Sequence, residues 1–455
     1  MIVQDKTAGP DRVLVRRSGF AITCLILVGC VLSALAAAGS AQADPGAEAP
    51  RGAQQDSLGG LNDPSNLLQE IDKRGAEKDS VFPVSPLGWL HDATDQAKQE
   101  LYDATGLKLG VALTHVFQGI TDAIDGEDKE GTASTFDLVG TWGLINRGQP
   151  TEGQAVFHVQ SRWDYGATGP EELGSTSLGS VIGTADTFSE YRRTFVLRNL
   201  YWRQGSPEAG WVYRVGKITP DALLSSSTHL DSQTTFLPSG GVSPAAMALP
   251  DSGLGAVGAW YFSDRAALAG LVSDANGDRF DSGDIGEGDF FKAAELLVKV
   301  APRTPEAPYS KLTLWHTDGT EDGQASNASF GPDGWGFFAM HQQELTADGR
   351  AIGILRYGKS FDDSAVYEQQ AGAHFLLYEP RLLTGLKNDV VGTAFNWAKV
   401  PGSDSRSEYN AEVFYRFPLF PEVDTTLSYQ SVINPALTRE VDHASVFSVR
   451  IRVVF

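Results

Sequence analysis

The chain has 455 residues, a formal net charge of -21 and 42% hydrophobic side chains. So acidic a surface excludes nucleic acid as a partner, since binding phosphates needs basic surface. Its only two cysteines, Cys24 and Cys30, lie near the N-terminus. The rest of the chain therefore forms no disulfide, and a protein of this size must gain stability in another way.

The N-terminus reads as an export signal over residues 1–43. Arg12, Arg16 and Arg17 precede an apolar run from Phe20 to Ala38, and Ala41-Gln42-Ala43 supplies a small-residue cleavage site. A lipoprotein-type box at Leu27-Val28-Gly29-Cys30 competes with this reading, but the apolar run continues well past the cysteine. The first 43 residues carry four basic side chains (Lys6, Arg12, Arg16, Arg17) against Asp5 and Asp11, so the remainder carries -23. No apolar stretch of about 20 residues follows the signal, which leaves a closed barrel as the only way to span a membrane.

Residues 44–106 form a leader. Its start is rich in Ala, Gly, Pro and acid and reads as disordered. Two segments, 66–74 and 91–105, have helical spacing, and Leu101 and Tyr102 are placed to pack the second. Both are expected on the periplasmic side, docked as short helices.

From Leu107 to the end the pattern changes to about 16 alternating runs of membrane-strand length. They begin near Leu107, Ala133, Gln154, Thr194, Gly210, Leu254, Arg265, Phe290, Ser310, Gly334, Ala351, Tyr367, Asp389, Arg406, Val423 and Ser445. In the last of them Phe447, Val449, Ile451 and Val453 oppose Ser448, Arg450 and Arg452. Period 2 sends successive side chains to opposite faces, giving one apolar and one polar wall. The gaps alternate too. Gly205-Ser206-Pro207-Glu208-Ala209, Ser263-Asp264, Thr346-Ala347-Asp348-Gly349 and Pro418-Leu419-Phe420-Pro421-Glu422 are short. The gaps 119–132, 165–193, 219–253, 275–289 and 318–333 are long. Short turns at one end and long loops at the other fit a transmembrane antiparallel β-barrel over 107–455, and not a Greek-key sandwich. An all-β barrel also explains the ending: the last strand closes against the first, and nothing needs to follow Phe455.

Asn410-Ala411-Glu412-Val413-Phe414-Tyr415-Arg416, with Leu427-Ser428-Tyr429-Gln430-Ser431-Val432-Ile433-Asn434-Pro435, resembles the carbohydrate-selective porin family of the OprB type. Gly216-Lys217, Asp274-Ala275-Asn276-Gly277-Asp278 and the terminal Phe455 add to the resemblance, which runs from about Leu101 to the end. The pattern departs at Leu427-Ser428, where a Pro-Asp pair is expected. The resemblance implies a bacterial outer-membrane barrel of 16 strands that admits small carbohydrates by diffusion. It also implies that Phe455 is a recognition feature for the barrel assembly machinery, with outer-membrane lipids as surroundings.

A sugar pore needs charged or amide groups for hydroxyls and aromatic planes for ring C–H faces, with binding weak enough for release. The lumen-facing candidates are Arg162, Arg198 and Arg214 on three successive strands, Arg450 and Arg452 on the closing strand, and Asn410 and Glu412 close to it. Val196 and Leu200 share the alternation face of Arg198, which counts against that arginine. The longest loop, 219–253, has the length to fold inward, setting Asp221 or Asp231 opposite the arginines; a loop lying over the mouth is the other reading. Trp202 and Trp260 fit an interfacial aromatic girdle better than sugar stacking. Asp274-x-Asn276-x-Asp278 starts like a calcium loop but lacks the glycine and the twelfth-position glutamate, so a solvated acidic loop is favoured and no metal is expected. No G-x-S-x-G, H-E-x-x-H or cysteine–histidine pattern points to an enzyme, and no cofactor is implied. His158 and His374 are expected in the lumen. A general or anion-preferring porin, and a secreted soluble β-rich polysaccharide binder, are the alternatives.

Overall fold

Sixteen strands pair in sequence order, and the last pairs with the first. They are β1 (Leu107–Ile120), β2 (Glu130–Ile145), β3 (Gly153–Asp164), β4 (Val196–Ser206), β5 (Trp211–Ile218), β6 (Gly253–Ser263), β7 (Ala266–Asp274), β8 (Phe290–Lys299), β9 (Tyr309–Thr317), β10 (Gly334–Glu344), β11 (Ala351–Ser360), β12 (Gln369–Tyr378), β13 (Val390–Lys399), β14 (Ser407–Phe420), β15 (Val423–Ile433) and β16 (His443–Val454). All neighbours are antiparallel, and the β1–β16 seam runs from Ala112↔Val454 to Ile120↔Val446. Val111 and the terminal Phe455 exchange backbone hydrogen bonds of 2.8 and 2.9 Å, so the ladder continues to the last residue. A closed ladder has no free edge, which supplies the stability that disulfides do not. This computed structural model describes residues 59–60, 63–76, 79–84, 87–166, 168–190, 195–283, 285–300, 308–319, 333–383, 386–402 and 406–455. The expected signal peptide lies outside the described residues.

Every strand begins within three residues of its expected start. The alternation holds as well: on β16, Phe447, Val449 and Ile451 are exposed on the outside, while Ser448, Arg450 and Arg452 are buried inside. The same inversion runs round the wall. Leu200, Val215, Leu268, Leu314, Leu355 and Phe395 are exposed, whereas Thr114, Asp137, Gln160, Glu295, Lys311 and Asn396 are buried. Trp142, Trp211 and Trp260 stand toward the short-turn end and Trp163 and Trp335 toward the other. Trp335 stacks on Phe361 with centroids 4.4 Å apart.

Among the described residues two helices precede the barrel, α1 (Pro64–Ala76) and α2 (Gly88–Thr105). No helix of the described residues is long and apolar enough to cross a membrane. α2 ends on Gly106, whose φ of 79° gives the left-handed turn into β1. Tyr102 packs at that junction, under Lys108 Nζ at 5.0 Å from its ring centroid. α1 is docked inside the short-turn mouth of the barrel. Its Leu67, Leu68 and Ile71 are buried against Ala112, Val139 and Val454.

Candidate functional site: the filled barrel interior

The β5–β6 loop, 219–252, folds inward. Thirty of its 34 residues are buried, and the four that are less so are Asp221, Thr228, Ser239 and Ser243. Polar side chains from much of the wall hold its backbone. Arg450 donates to the carbonyls of Ser232 (2.7 Å) and Thr235 (2.9 Å). Arg416 donates to Thr234 O at 2.9 Å and Lys311 to Ser226 O at 2.8 Å. Arg356 reaches Gly241 O, and Gln370 reaches Gly240 O at 2.6 Å. Glu295 accepts from Ser225 N at 2.6 Å, and Glu412 from Leu237 N at 3.1 Å. A buried carbonyl or amide must find a partner, and here the wall supplies it. Gly240 has no room for a side chain, because a Cβ would come within 2.9 Å of Tyr367 Oη and 3.0 Å of Ile182 Cγ2. Phe236 anchors the turn, edge-on to His374 (5.0 Å) and Phe414 (5.1 Å).

The β3–β4 loop also enters. Glu408 accepts from Ser180 Oγ, Val181 N (2.9 Å) and Ile182 N (3.1 Å). Gln118 and Gln430 both donate to Thr184 O, at 2.9 and 2.8 Å. Asn410 donates to Gln430 at 3.1 Å, and Asn434, at φ 54°, accepts from Arg406 at 3.0 Å. The Asn410, Gln430 and Asn434 that carry the sequence resemblance therefore brace this loop and its rim.

Between the two loops and the wall lies a cavity of about 190 Å³, lined by Arg162, Arg198, Arg279, Glu171, Asp186, Asp221, Asp231, Gln160, Asn199 and His158 among others. Arg162 donates to Gln160 Oε1 at 2.8 Å and stands 4.0 Å from Glu171. Arg198 donates to the same oxygen at 3.4 Å and lies 3.7 Å from Asp251. Arg279, from the β7–β8 loop, pairs with Asp251. Burial raises the carboxyl of Asp186 to about 7, with the negative charge of Glu171 adding to the shift. Burial also pushes Asp221 up, against the pull of Arg198. Asp251 is buried too, but Arg279 and Arg198 outweigh that cost and hold its carboxyl below the usual range. The cavity thus sets fixed guanidinium charges across from two carboxyls that burial pushes up, Asp186 to about 7 and Asp221 in the same direction.

The candidate residues separate into groups. Arg162 and Arg198 meet at this cavity, and Asp221 and Asp231 also line it. Arg198 faces inward because the β3–β4 pairing shifts between His158 and Val159, leaving it out of the ladder. Val196 is buried inside while Leu200 is 50% exposed outside, so the bulge separates residues that simple alternation puts on one face. Arg214 stands apart from the other two, paired with Asp63 at 2.7 Å. Arg450, Arg452 and Glu412 face inward, but against the β5–β6 loop. His158 and His374 are inward as well, and His158 hydrogen-bonds Asp137 at 2.7 Å. Trp260 is 63% exposed on the outer face; Trp202 is half-buried beside Gly153. No group of residues suited to a metal ion occurs among the described residues. In the Asp274 to Asp281 stretch the cation is Lys217, whose Nζ donates to the carbonyls of Asp278 (3.1 Å), Arg279 (3.0 Å) and Asp281. Sequence reasoning did not single out Arg279, Asp186, Glu171 or Lys217 as site residues. Three lie in loops, where no periodicity tells inside from outside, and Lys217 figured only in the resemblance.

No protein-family model matches the chain, and no curated protein sequence does. Solved structures do. The chain is similar to the high-pH structure of Pseudomonas putida OprB, with a TM-score of 0.61 at 14% identity, over 80% of this chain and 97% of that one. The low-pH structure of the same protein gives 0.49 at 12% identity over 80% and 96%. A mutant of the Rhodobacter blastica porin gives 0.43 at 13% over 77% and 100%. The chain shares the OprB barrel fold, consistent with the resemblance carried by its C-terminal strands. At such identity the likeness extends to the fold.

Proposed function

We propose that this chain is a bacterial outer-membrane channel through which small hydrophilic solutes, sugars above all, diffuse down their gradients. The observation that carries the reading is the inversion of polarity in a closed barrel: apolar side chains stand outside, charged and amide side chains inside, and two loops fold into the lumen. Lipid suits the first face and hydrated solute the second. In this reading residues 1–43 direct export, Phe455 is the feature met by the assembly machinery, and no chemical step or cofactor is involved.

The cavity around Arg162 and Arg198 is the proposed solute contact. Its guanidinium groups donate to hydroxyls, while Glu171, Asp221 and the amide oxygens of Gln160 and Asn199 accept. Arg279 joins them. Arg450, Arg452, Asn410 and Glu412 act indirectly, by holding the loops that shape the passage. The test is swelling of liposomes carrying the purified protein in isotonic glucose or maltose. Swelling that slows with Arg162→Ala and Arg198→Ala supports the reading; swelling that ignores both changes removes these residues from it. The three clustered arginines also favour a second reading, an anion-preferring pore, which a reversal potential in a salt gradient distinguishes. Recovery of the native protein in the soluble fraction without detergent would instead favour a secreted binder.

A further inference from the structure

Helix α1 occupies the mouth of the barrel, and its contacts differ from those of the loops. Three ion pairs join α1 and the residue before it to the wall: Asp63 with Arg214 at 2.7 Å, Glu70 with Arg452 at 2.8 Å, and Arg74 with Asp424 at 2.5 Å. Tyr201 Oη donates to Asp63 as well, at 3.1 Å. The seat is cut for the helix. Gly110 leaves a hollow there, and a Cβ at that position would come within 2.8 Å of Leu68 Cδ1 and 3.2 Å of Ile71 Cγ2.

The helix also stands where the lumen is divided. Its Leu67 lines the cavity of Arg162 and Arg198. Its Glu70, Lys73 and Arg74 line a second cavity of about 370 Å³ toward the short-turn end. The β5–β6 loop does the same: Asp231 and Gln233 line the first cavity, and His229, Thr234 and Thr235 the second. The two walls meet at Arg452, which donates to Gln233 Oε1 at 2.7 Å and to Glu70 Oε2 at 2.8 Å.

We infer that α1 is an intralumenal plug, latched by these three ion pairs, that must leave its seat for solute to pass between the two cavities. The chemistry of the latch favours release. The attraction within a buried ion pair is largely cancelled by the desolvation of its charges, so such pairs add little net stability. When the helix leaves, water rehydrates Arg214, Arg452 and Asp424. The vacated space has a helix's width, about 10 Å across, and these charged groups line it. The loop is held differently, by contacts with many strands, and it stays.

The inference rests on the channel reading above, and its test separates the two. The chain has no cysteine after Cys30, so Leu68→Cys with Gly110→Cys places a pair across the helix–wall contact. The first change removes the methyl that would meet the new Cβ. Purified protein in liposomes is assayed for glucose-driven swelling, oxidised and then reduced, beside wild type and each single variant. The expected result is at least a tenfold loss of swelling rate on oxidation of the double variant, restored by dithiothreitol, with the single variants insensitive. Equal rates in a double variant shown by gel shift to be fully cross-linked would overturn the plug. No swelling by wild type or reduced protein would overturn the channel reading itself, and the plug with it. A variant lacking residues 44–76 gives the converse check: its single-channel conductance rises if α1 obstructs the lumen, and an unchanged conductance counts against the plug.

Discussion

Arg450→Leu tests how the β5–β6 loop is held in the lumen. Arg450 is 1% exposed. It donates to Ser232 O at 2.7 Å, Thr235 O at 2.9 Å and Thr426 Oγ1 at 3.2 Å. Leucine keeps much of the stem and removes every donor, leaving two loop carbonyls without this partner. At roughly 1–3 kcal/mol for each buried group so stranded, the docked loop loses about 3 kcal/mol. Since about 1.4 kcal/mol is a factor of ten, the undocked population rises about a hundredfold. Hydrogen exchange in detergent micelles reads this directly. Amides of residues 231–237 should exchange about a hundred times faster, while those of β7 and β8 keep their wild-type rates. Arg450→Lys, which keeps the charge but loses the fork, should fall between. Unchanged exchange over 231–237 in a folded Arg450→Leu protein would refute the claim that wall arginines hold the loop.

Three further outcomes follow from the same contacts. Glu408→Ala strips the acceptor from Ser180, Val181, Ile182 and Ala436; exchange at the amides of Val181 and Ile182 should rise at least tenfold, and Glu408→Gln should rescue part of the loss. Asp186, raised to about 7 by burial, keeps its proton in the folded protein while the unfolded chain has already lost it. Stability should therefore fall as pH rises from about 4 to about 7, and cation preference should grow between pH 6 and 8; Asp186→Asn should flatten both profiles, measured by denaturant midpoint and reversal potential. Lys217→Met removes the ammonium held by the carbonyls of Asp278, Arg279 and Asp281, so limited proteolysis should cut between 275 and 289 sooner while heat-modifiable migration of the barrel persists.

The barrel was legible because a strand facing lipid on one side and water on the other writes its period into the sequence. β16 is the clearest case, with Phe447, Val449 and Ile451 against Ser448, Arg450 and Arg452. Loop lengths gave the end at which the long connections lie. Alternation failed at Arg198, where one bulged residue shifts the faces, and a bulge leaves no period of its own. It identified Arg450 and Arg452 as inward but could not say what they meet: Arg450 bonds backbone carbonyls of a loop some 215 residues away in sequence, and Arg452 bonds the Gln233 side chain of that loop and Glu70 of α1. Carbonyls carry no sequence signal. The same applies to α1: its apolar Leu67, Leu68 and Ile71 announce a helix with a buried face, but the hollow that receives it is made by Gly110, which looks like any strand glycine. Arg279 sits inside an acidic run that read as solvated, and only the fold turns it toward Asp251.

Conductance of single channels in a planar bilayer, titrated with glucose and then with a longer glucan at constant salt, tests the central claim most directly. The account predicts discrete channels, blocked saturably by sugar and relieved of part of that block by Arg162→Ala. Channels that conduct ions with no response to either sugar would contradict the carbohydrate reading, and folded protein that forms no channels would contradict the account as a whole.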